Sequence, residues 1–79
     1  MHGATKEQIM SSNYLKYQFC MEKVFGQGFY NRLGLTPVMN RWGIPEPTLS
    51  SLSQASAEVR KTDAKCRADN AIALEPRPQ

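Results

Sequence analysis

The chain has 79 residues, 41% of them hydrophobic, and a formal net charge of +3. Such a length allows one small domain with a thin core, which needs support from a disulfide, a partner or a second copy of the chain. The charge is mild for a nucleic-acid-binding domain, and no stretch approaches the ~20 apolar residues of a membrane span. We therefore expect a single domain over residues 1–79, with flexible ends at residues 1–5 and 75–79.

The first predicted element is a long helix from about Lys6 to Phe25. Thr5 and Gln8 have the spacing of a capping box at its start, and Gly26 is a favourable residue for its end. Apolar residues recur along it with helical spacing and predict a buried stripe. The stripe consists of Met10, Tyr14, Tyr17, Met21 and Val24, widened by Leu15, Phe19 and Phe25.

The middle segment, residues 26–47, holds four of the five glycines and three of the five prolines. Within it, residues 36–43 predict a short helix, with Thr36 as the cap, Pro37 at the first helical position and Gly43 at the end. Residues 44–47 are expected to be extended, because proline disfavours the helical conformation of the residue before it.

The middle segment is also rich in aromatic residues, which a purely polar loop would not carry. Four large side chains are the candidates for contact with a partner, because aromatic residues and methionine are enriched at protein interfaces. They are Phe29, Tyr30, Met39 and Trp42. The alternative is that the same residues form the core.

The last predicted helix runs from about Leu49 to Ala73, capped by Thr48 or Ser50. Its apolar face consists of Leu52, Ala55, Val59, Thr62 and Cys66. Asp63 and Arg67 have the spacing of a weak ion pair on the helix surface. The predicted fold class is therefore all-α: two long helices joined by an ordered, aromatic- and Gly/Pro-rich segment that contains a short helix.

The residue types that usually carry catalysis or metal binding are sparse. General acid–base catalysis normally needs a positioned histidine or paired carboxylates, but the one histidine is His2 and the acidic residues are scattered. A zinc site needs four ligands, and the glycines at 26 and 28 lack the residues that follow them in phosphate-binding loops. The sequence predicts no enzyme, cofactor, metal site or small-molecule substrate.

The two cysteines, Cys20 and Cys66, either form a disulfide between the two long helices or remain as two buried thiols. The disulfide is favoured, and it requires the middle segment to run back along the helices. A small redox protein that uses this pair is an alternative function, although the spacing differs from the close dithiols of oxidoreductases.

The densest basic cluster extends from Arg60 to Arg67 and consists of Arg60, Lys61, Lys65 and Arg67. A helix with this cluster is the basis of an alternative function, a nucleic-acid-binding module that contacts phosphates. Acidic residues interleave with the cluster, so a solvated helix face is the simpler interpretation and nucleic acid is not the expected partner.

Three short elements occur in the same order as in a known group of proteins. They are Cys20-Met21 with Gly28-Phe29, Arg32-Leu33-Gly34-Leu35-Thr36 with Arg41-Trp42-Gly43, and Glu58-Val59 with Asp63, Lys65-Cys66-Arg67 and Asp69. Together they resemble small secreted lipoproteins of actinobacteria, whose function is largely unassigned. The resemblance implies an exported helical domain in which Cys20 and Cys66 are bridged, and it implies no activity.

The resemblance and the cysteine pair slightly favour a secreted or cell-envelope location. Residues 1–12 lack the apolar core of a signal peptide, so the compartment stays open. The function we expect is non-catalytic: a protein–protein interaction domain or a structural subunit of a larger assembly, which binds a protein partner or further copies of itself.

Overall fold

The computed structural model describes residues 5–72 of the chain. This part is mostly helical and includes one small antiparallel sheet. In chain order its elements are α1 (Lys6–Phe25), α2 (Phe29–Leu33), β1 (Pro37–Met39), β2 (Pro45–Pro47), α3 (Leu49–Ser53) and α4 (Ala57–Asp69). The helical character and the two longer helices are confirmed, whereas the strictly all-α class is wrong because of the sheet.

Helix α1 has the bounds that its local sequence predicts. The Thr5 hydroxyl accepts a hydrogen bond from the Gln8 amide, and the Gln8 side chain accepts one from the Thr5 amide. The helix ends at Gly26, whose φ of +87° is unfavourable for other residues. Thr5, which was predicted within the flexible N-terminal end, is the N-cap of α1. The remainder of the predicted flexible ends, 1–4 and 75–79, lies outside the described residues.

Residues 36–43, predicted as a short helix, instead form the first strand and the turn of a β-hairpin. The Asn40 side-chain oxygen accepts hydrogen bonds from the amides of Trp42 and Ile44, at 3.0 and 3.1 Å. Gly43 closes the turn with a φ of +74°. Asparagine side chains that bond the following backbone favour turns over helices, and the extended residues 44–47 supply a partner strand.

The three prolines of the hairpin lie at positions that form no cross-strand hydrogen bonds. Pro37 faces Pro47, and Pro45 lies two residues from Pro47 on the same side of the strand. The next pair outward is bonded, with the Thr48 amide donating to the Thr36 carbonyl at 3.0 Å. Because bonded and non-bonded pairs alternate in an antiparallel ladder, the hairpin loses no bond to its prolines. The outer edge of β2 also offers no N–H at either proline to another strand.

The predicted helix from Leu49 to Ala73 is two helices, α3 and α4, separated at residues 54–56. The Thr48 side chain caps α3 by accepting from the Ser51 amide, and Ser56 caps α4 by accepting from the Val59 amide. Serine hydroxyls compete with the helix for backbone groups, so Ser56 begins a new helix. The Thr48 cap is confirmed, and one continuous helix is wrong. Residue 73 lies outside the described residues.

The segment after α1 runs back along it. Phe29, just beyond the end of α1, is buried in the core. Further on, the indole N–H of Trp42 donates to Glu7 in the first turn of α1, at 2.6 Å. The hairpin therefore returns to the start of α1, as the pairing of Cys20 with Cys66 requires.

The core lies where α1, α2, α3 and α4 meet. Its members come from every helix and from the connections that follow α2 and α4. They are Tyr17, Met21, Phe29, Leu35, Leu52, Val59, Cys66 and Ile72. Such a thin core leaves much of the apolar surface of α1 uncovered.

Candidate functional site

A buried ionic cluster joins α4 to α1 and to β2. Asp63 and Arg67, one turn apart on α4, are only 2% and 3% exposed. Arg67 Nε donates to both Asp63 oxygens, at 3.2 and 3.1 Å, and Arg67 Nη1 lies 3.6 Å from Glu46 Oε1. The Tyr17 hydroxyl donates to Asp63, and the Arg67 guanidinium lies 4.8 Å from the centre of the Tyr17 ring. Tyr17, Glu46, Asp63 and Arg67 are called the ionic cluster below.

The ionic cluster is suited to fixing how α4 packs. Moving charges out of water is unfavourable unless they are paired and hydrogen-bonded, and breaking a buried pair is costly because the remaining charge stays buried and unpaired. Both oxygens of Asp63 accept hydrogen bonds within the cluster, while Arg67 Nη2 is buried without a protein partner among residues 5–72. A displaced α4 would leave these charges buried and unpaired, so one arrangement is strongly preferred.

Burial and the ionic cluster shift the protonation of its members. Burial raises the pKa of Tyr17 well above its ordinary value, and the hydrogen bond to Asp63 and the Asp63 charge raise it further. Burial likewise raises the pKa of Tyr30, and the negative charge of Glu46 raises it further. Burial alone would lower the pKa of Arg67, but Tyr17, Asp63 and Glu46 outweigh it and raise the pKa above its usual value. Both phenols thus stay protonated, and Arg67 stays charged, at neutral pH.

Alkaline pH should therefore weaken the fold through Tyr17. An unfolded tyrosine titrates near pH 10, whereas folded Tyr17 keeps its proton to higher pH. The contribution of this shift to the free energy of unfolding is fully present below about pH 10. Above that pH it is lost by up to about 1.4 kcal/mol per pH unit. Urea unfolding between about pH 8 and 11 should show a shallower decline for Tyr17→Phe than for the wild-type chain. Equal slopes for the two proteins would contradict the shifted pKa.

Sequence reasoning missed that the Asp63–Arg67 pair is buried. The predicted pairing occurs, but it lies in the interior rather than on the helix surface. The sequence does indicate the burial of Asp63, because Val59, Asp63 and Cys66 have the four-then-three spacing of one helix face. Thr62 was assigned to that face in place of Asp63, and Thr62 is only half-buried.

The basic cluster from Arg60 to Arg67 is not presented as one cationic surface. Arg67 is buried in the ionic cluster. The Arg60 guanidinium donates to the Ala55 carbonyl, and Lys65 Nζ lies 3.1 Å from Asp69 Oδ2. The nucleic-acid alternative therefore loses one of its four cations, and two others have partners within the chain.

Cys20 and Cys66 lie at disulfide distance. Their sulfur atoms are 2.03 Å apart and their Cα atoms 5.7 Å apart, across a sequence separation of 46 residues. Cys66 is buried and Cys20 is half-buried. The pair therefore ties the second half of α1 to α4, next to the ionic cluster, and it is the pairing that the sequence favours. Use of the pair as a redox centre stays a prediction.

The four residues predicted to contact a partner lie in two different environments. Phe29 is 1% exposed and is therefore a core residue, which was the alternative to contact with a partner. Tyr30 is half-buried, stacks on Phe29 with ring centres 4.4 Å apart, and donates its hydroxyl to the Pro45 carbonyl at 3.1 Å. Met39 is 66% exposed, and Trp42 is half-buried at the tip of the hairpin. Of the four, Met39 is the one that is largely exposed, and Tyr30 and Trp42 are each half-buried.

Trp42 fixes the hairpin to the first half of α1. Its ring packs on Tyr14 with centres 5.4 Å apart, and its indole N–H donates to Glu7. Arg41 Nη2 lies 3.3 Å from the second Glu7 oxygen, and its guanidinium lies 5.4 Å from the Trp42 ring centre. These contacts hold β1 in a defined position while leaving its residues exposed.

Several large apolar side chains stay exposed, and this was not predicted for α1. Leu15, Phe19 and Val24 were expected in a buried stripe, but they are 45%, 61% and 55% exposed. The neighbouring elements cover α1 mainly on the side of Tyr17 and Met21, so a wide apolar helix is only partly covered. Among residues 5–72, the other exposed large apolar residues are Ile9, Val38, Met39 and Leu49.

Comparison with models of protein families, with curated proteins and with solved structures finds no match for this chain. The resemblance to actinobacterial lipoproteins accordingly stays a prediction. Within residues 5–72 no helix is long and apolar enough to cross a membrane. The same residues contain no group of three histidine, cysteine or acidic side chains that could hold a metal ion.

Proposed function

We propose that this chain is a non-catalytic binding domain, tied by a disulfide, which docks a protein partner along the exposed strand β1 of its β-hairpin. The observation that carries the proposal is β1. All three of its residues are exposed, and two of them, Val38 and Met39, are large apolar side chains at 47% and 66% exposure. Because successive side chains of a strand point to opposite faces, Val38 and Met39 lie on either side of β1, and a partner lying along this strand contacts both. Exposed apolar groups on an ordered element are typical of interaction sites.

The anchoring of the hairpin supports this function. Trp42 and its contacts with Tyr14 and Glu7 hold the hairpin against α1, so β1 does not need to be ordered when a partner binds. Preorganisation of this kind lowers the entropic cost of association. The disulfide supports an oxidising compartment, such as the cell envelope or the extracellular space.

Site-specific photo-crosslinking in the cells that naturally produce the protein tests the proposal. A photoreactive residue in place of Val38 should label one protein reproducibly, whereas the same residue in place of exposed Glu58 on α4 should not. Met39→Ser should weaken that complex about ten- to hundredfold, because a buried methionine contributes roughly 1.5–3 kcal/mol.

A product that contains a second copy of the chain would identify a homo-oligomer as the assembly. Equal labelling from positions 38 and 58, or a Met39→Ser variant that binds as tightly as the wild type, would contradict docking through the hairpin.

A further inference from the structure

One face of α1 combines exposed apolar and cationic side chains. Leu15 and Phe19 are 45% and 61% exposed, and Ile9 is 49% exposed one to two turns earlier. Lys16 and Lys23 are also exposed, and neither forms an ion pair within residues 5–72. These five residues are called the outer face of α1 below.

Helical spacing places the residues of the outer face side by side. Leu15, Phe19 and Lys23 follow one another at intervals of four, and Lys16 lies seven residues from both Ile9 and Lys23. The buried residues Tyr17 and Met21 occupy the opposite side of the helix. Around the helix the outer face thus runs from Leu15 and Phe19 on one flank, through the two lysines, to Ile9 on the other flank.

The charge of the outer face is positive. Of the acidic residues of α1, Glu7 is engaged with Trp42 and Arg41 at the hairpin. Glu22 borders the face beside Leu15 and is half-buried. The exposed charges among the five residues are therefore the two lysines, and they are complementary to an anionic surface.

We propose that the outer face of α1 binds the surface of a bilayer that contains anionic lipids. In such binding, apolar side chains insert at the boundary between headgroups and acyl chains, and lysine stems extend their amines to the headgroups. A protein partner of usual size needs about 800 Å² on each side, which a narrow convex strip does not readily supply. A deformable bilayer accepts each protruding side chain separately. The inference goes beyond the proposed protein docking, which uses the hairpin.

Vesicle co-sedimentation of the full, oxidised chain tests the proposal. The probes are phosphatidylcholine vesicles, with and without about a third phosphatidylserine. Each lysine near an anionic surface contributes roughly fivefold to partitioning, so phosphatidylserine should raise the partition coefficient about 25-fold. Added salt should reverse the gain, because charges at the surface are screened.

Matched variants distinguish vesicle binding through the outer face from nonspecific hydrophobic adsorption and from an effect of net charge alone. Phe19→Ser should lower binding about tenfold, whereas Val24→Ser should change it less than about twofold, since Val24 is similarly exposed but lies on another side of α1. Lys23→Glu should remove most of the phosphatidylserine dependence. Lys61→Glu, which changes the net charge equally at an exposed site on α4, should not.

Three results would overturn the proposal: no partitioning into phosphatidylserine vesicles, equal losses for Phe19→Ser and Val24→Ser, or equal losses for Lys23→Glu and Lys61→Glu. Self-association or protein binding that depends on Phe19, in the absence of vesicle binding, would make the outer face a protein interface and would equally overturn it. Crosslinking from position 38 reports on the hairpin alone, so the two proposals can fail independently.

Discussion

Replacing Arg67 with methionine is expected to lower the free energy of unfolding by about 3–5 kcal/mol. The guanidinium is 3% exposed and provides both Nε–H···O contacts to Asp63, which is itself 2% exposed. Without it, the Asp63 carboxylate is buried with the Tyr17 hydroxyl as its remaining hydrogen-bond donor. Urea denaturation of the oxidised chain near neutral pH measures the loss.

Helix α4 contains its own control for this experiment. Lys65 and Asp69 have the same four-residue spacing, with a 3.1 Å contact between Nζ and Oδ2, but their side chains are 75% and 55% exposed. Lys65→Met should therefore change stability by less than about 0.5 kcal/mol. Replacing Asp63 and Arg67 together with leucine and methionine should cost much less than Arg67→Met alone, because no carboxylate then remains unpaired at the 2% exposed position 63. Equal effects of Arg67→Met and Lys65→Met would contradict the buried ionic cluster.

Removing the bridge between Cys20 and Cys66 is expected to lower the free energy of unfolding by about 4 kcal/mol. The two residues are separated by 46 positions, and a closed loop of that length restricts the unfolded chain by about this amount in the chain-entropy model. A domain of this size is stable by about 4–12 kcal/mol in total, so the loss takes a third or more of it. Thermal unfolding followed by circular dichroism measures the effect.

The control for the bridge separates the bond from the packing of the sulfur atoms. The variant with alanine at both positions and the reduced wild-type chain both lack the bond, so each should be destabilised relative to the oxidised wild type. Adding reductant to the alanine variant should change nothing further. An oxidised and a reduced wild-type chain that unfold at the same temperature would contradict the stabilising role of the bridge.

Helix α1 could be predicted because its bounds depend on neighbouring residues. Thr5 and Gln8 form the predicted capping box, and Gly26 ends the helix. The hairpin was missed because Thr36, Pro37 and Gly43 fit a helix start and end equally well. What decides between the two structures is the pairing of β1 with β2, which lies outside the residue 36–43 pattern, together with the Asn40 turn.

The sites were predicted less well than the elements, because periodicity identifies apolar residues and not the sides of a helix that become covered. Phe19 was expected to be buried and is exposed, while Asp63 was expected at the surface and is buried. Which side is covered depends on how α4 and the hairpin pack on α1. In this chain the Cys20–Cys66 pair and the Trp42 contacts lie at those packed surfaces, and both join residues far apart in sequence.

The most direct test of this architecture is the intact mass of the native chain after alkylation under denaturing conditions, with and without prior reduction. If the bridge joins α1 to α4, the unreduced chain takes up no alkyl group, and the reduced chain takes up one at Cys20 and one at Cys66. Uptake of both groups without reductant would show two free thiols, and would contradict a fold in which a disulfide fixes α4 against α1.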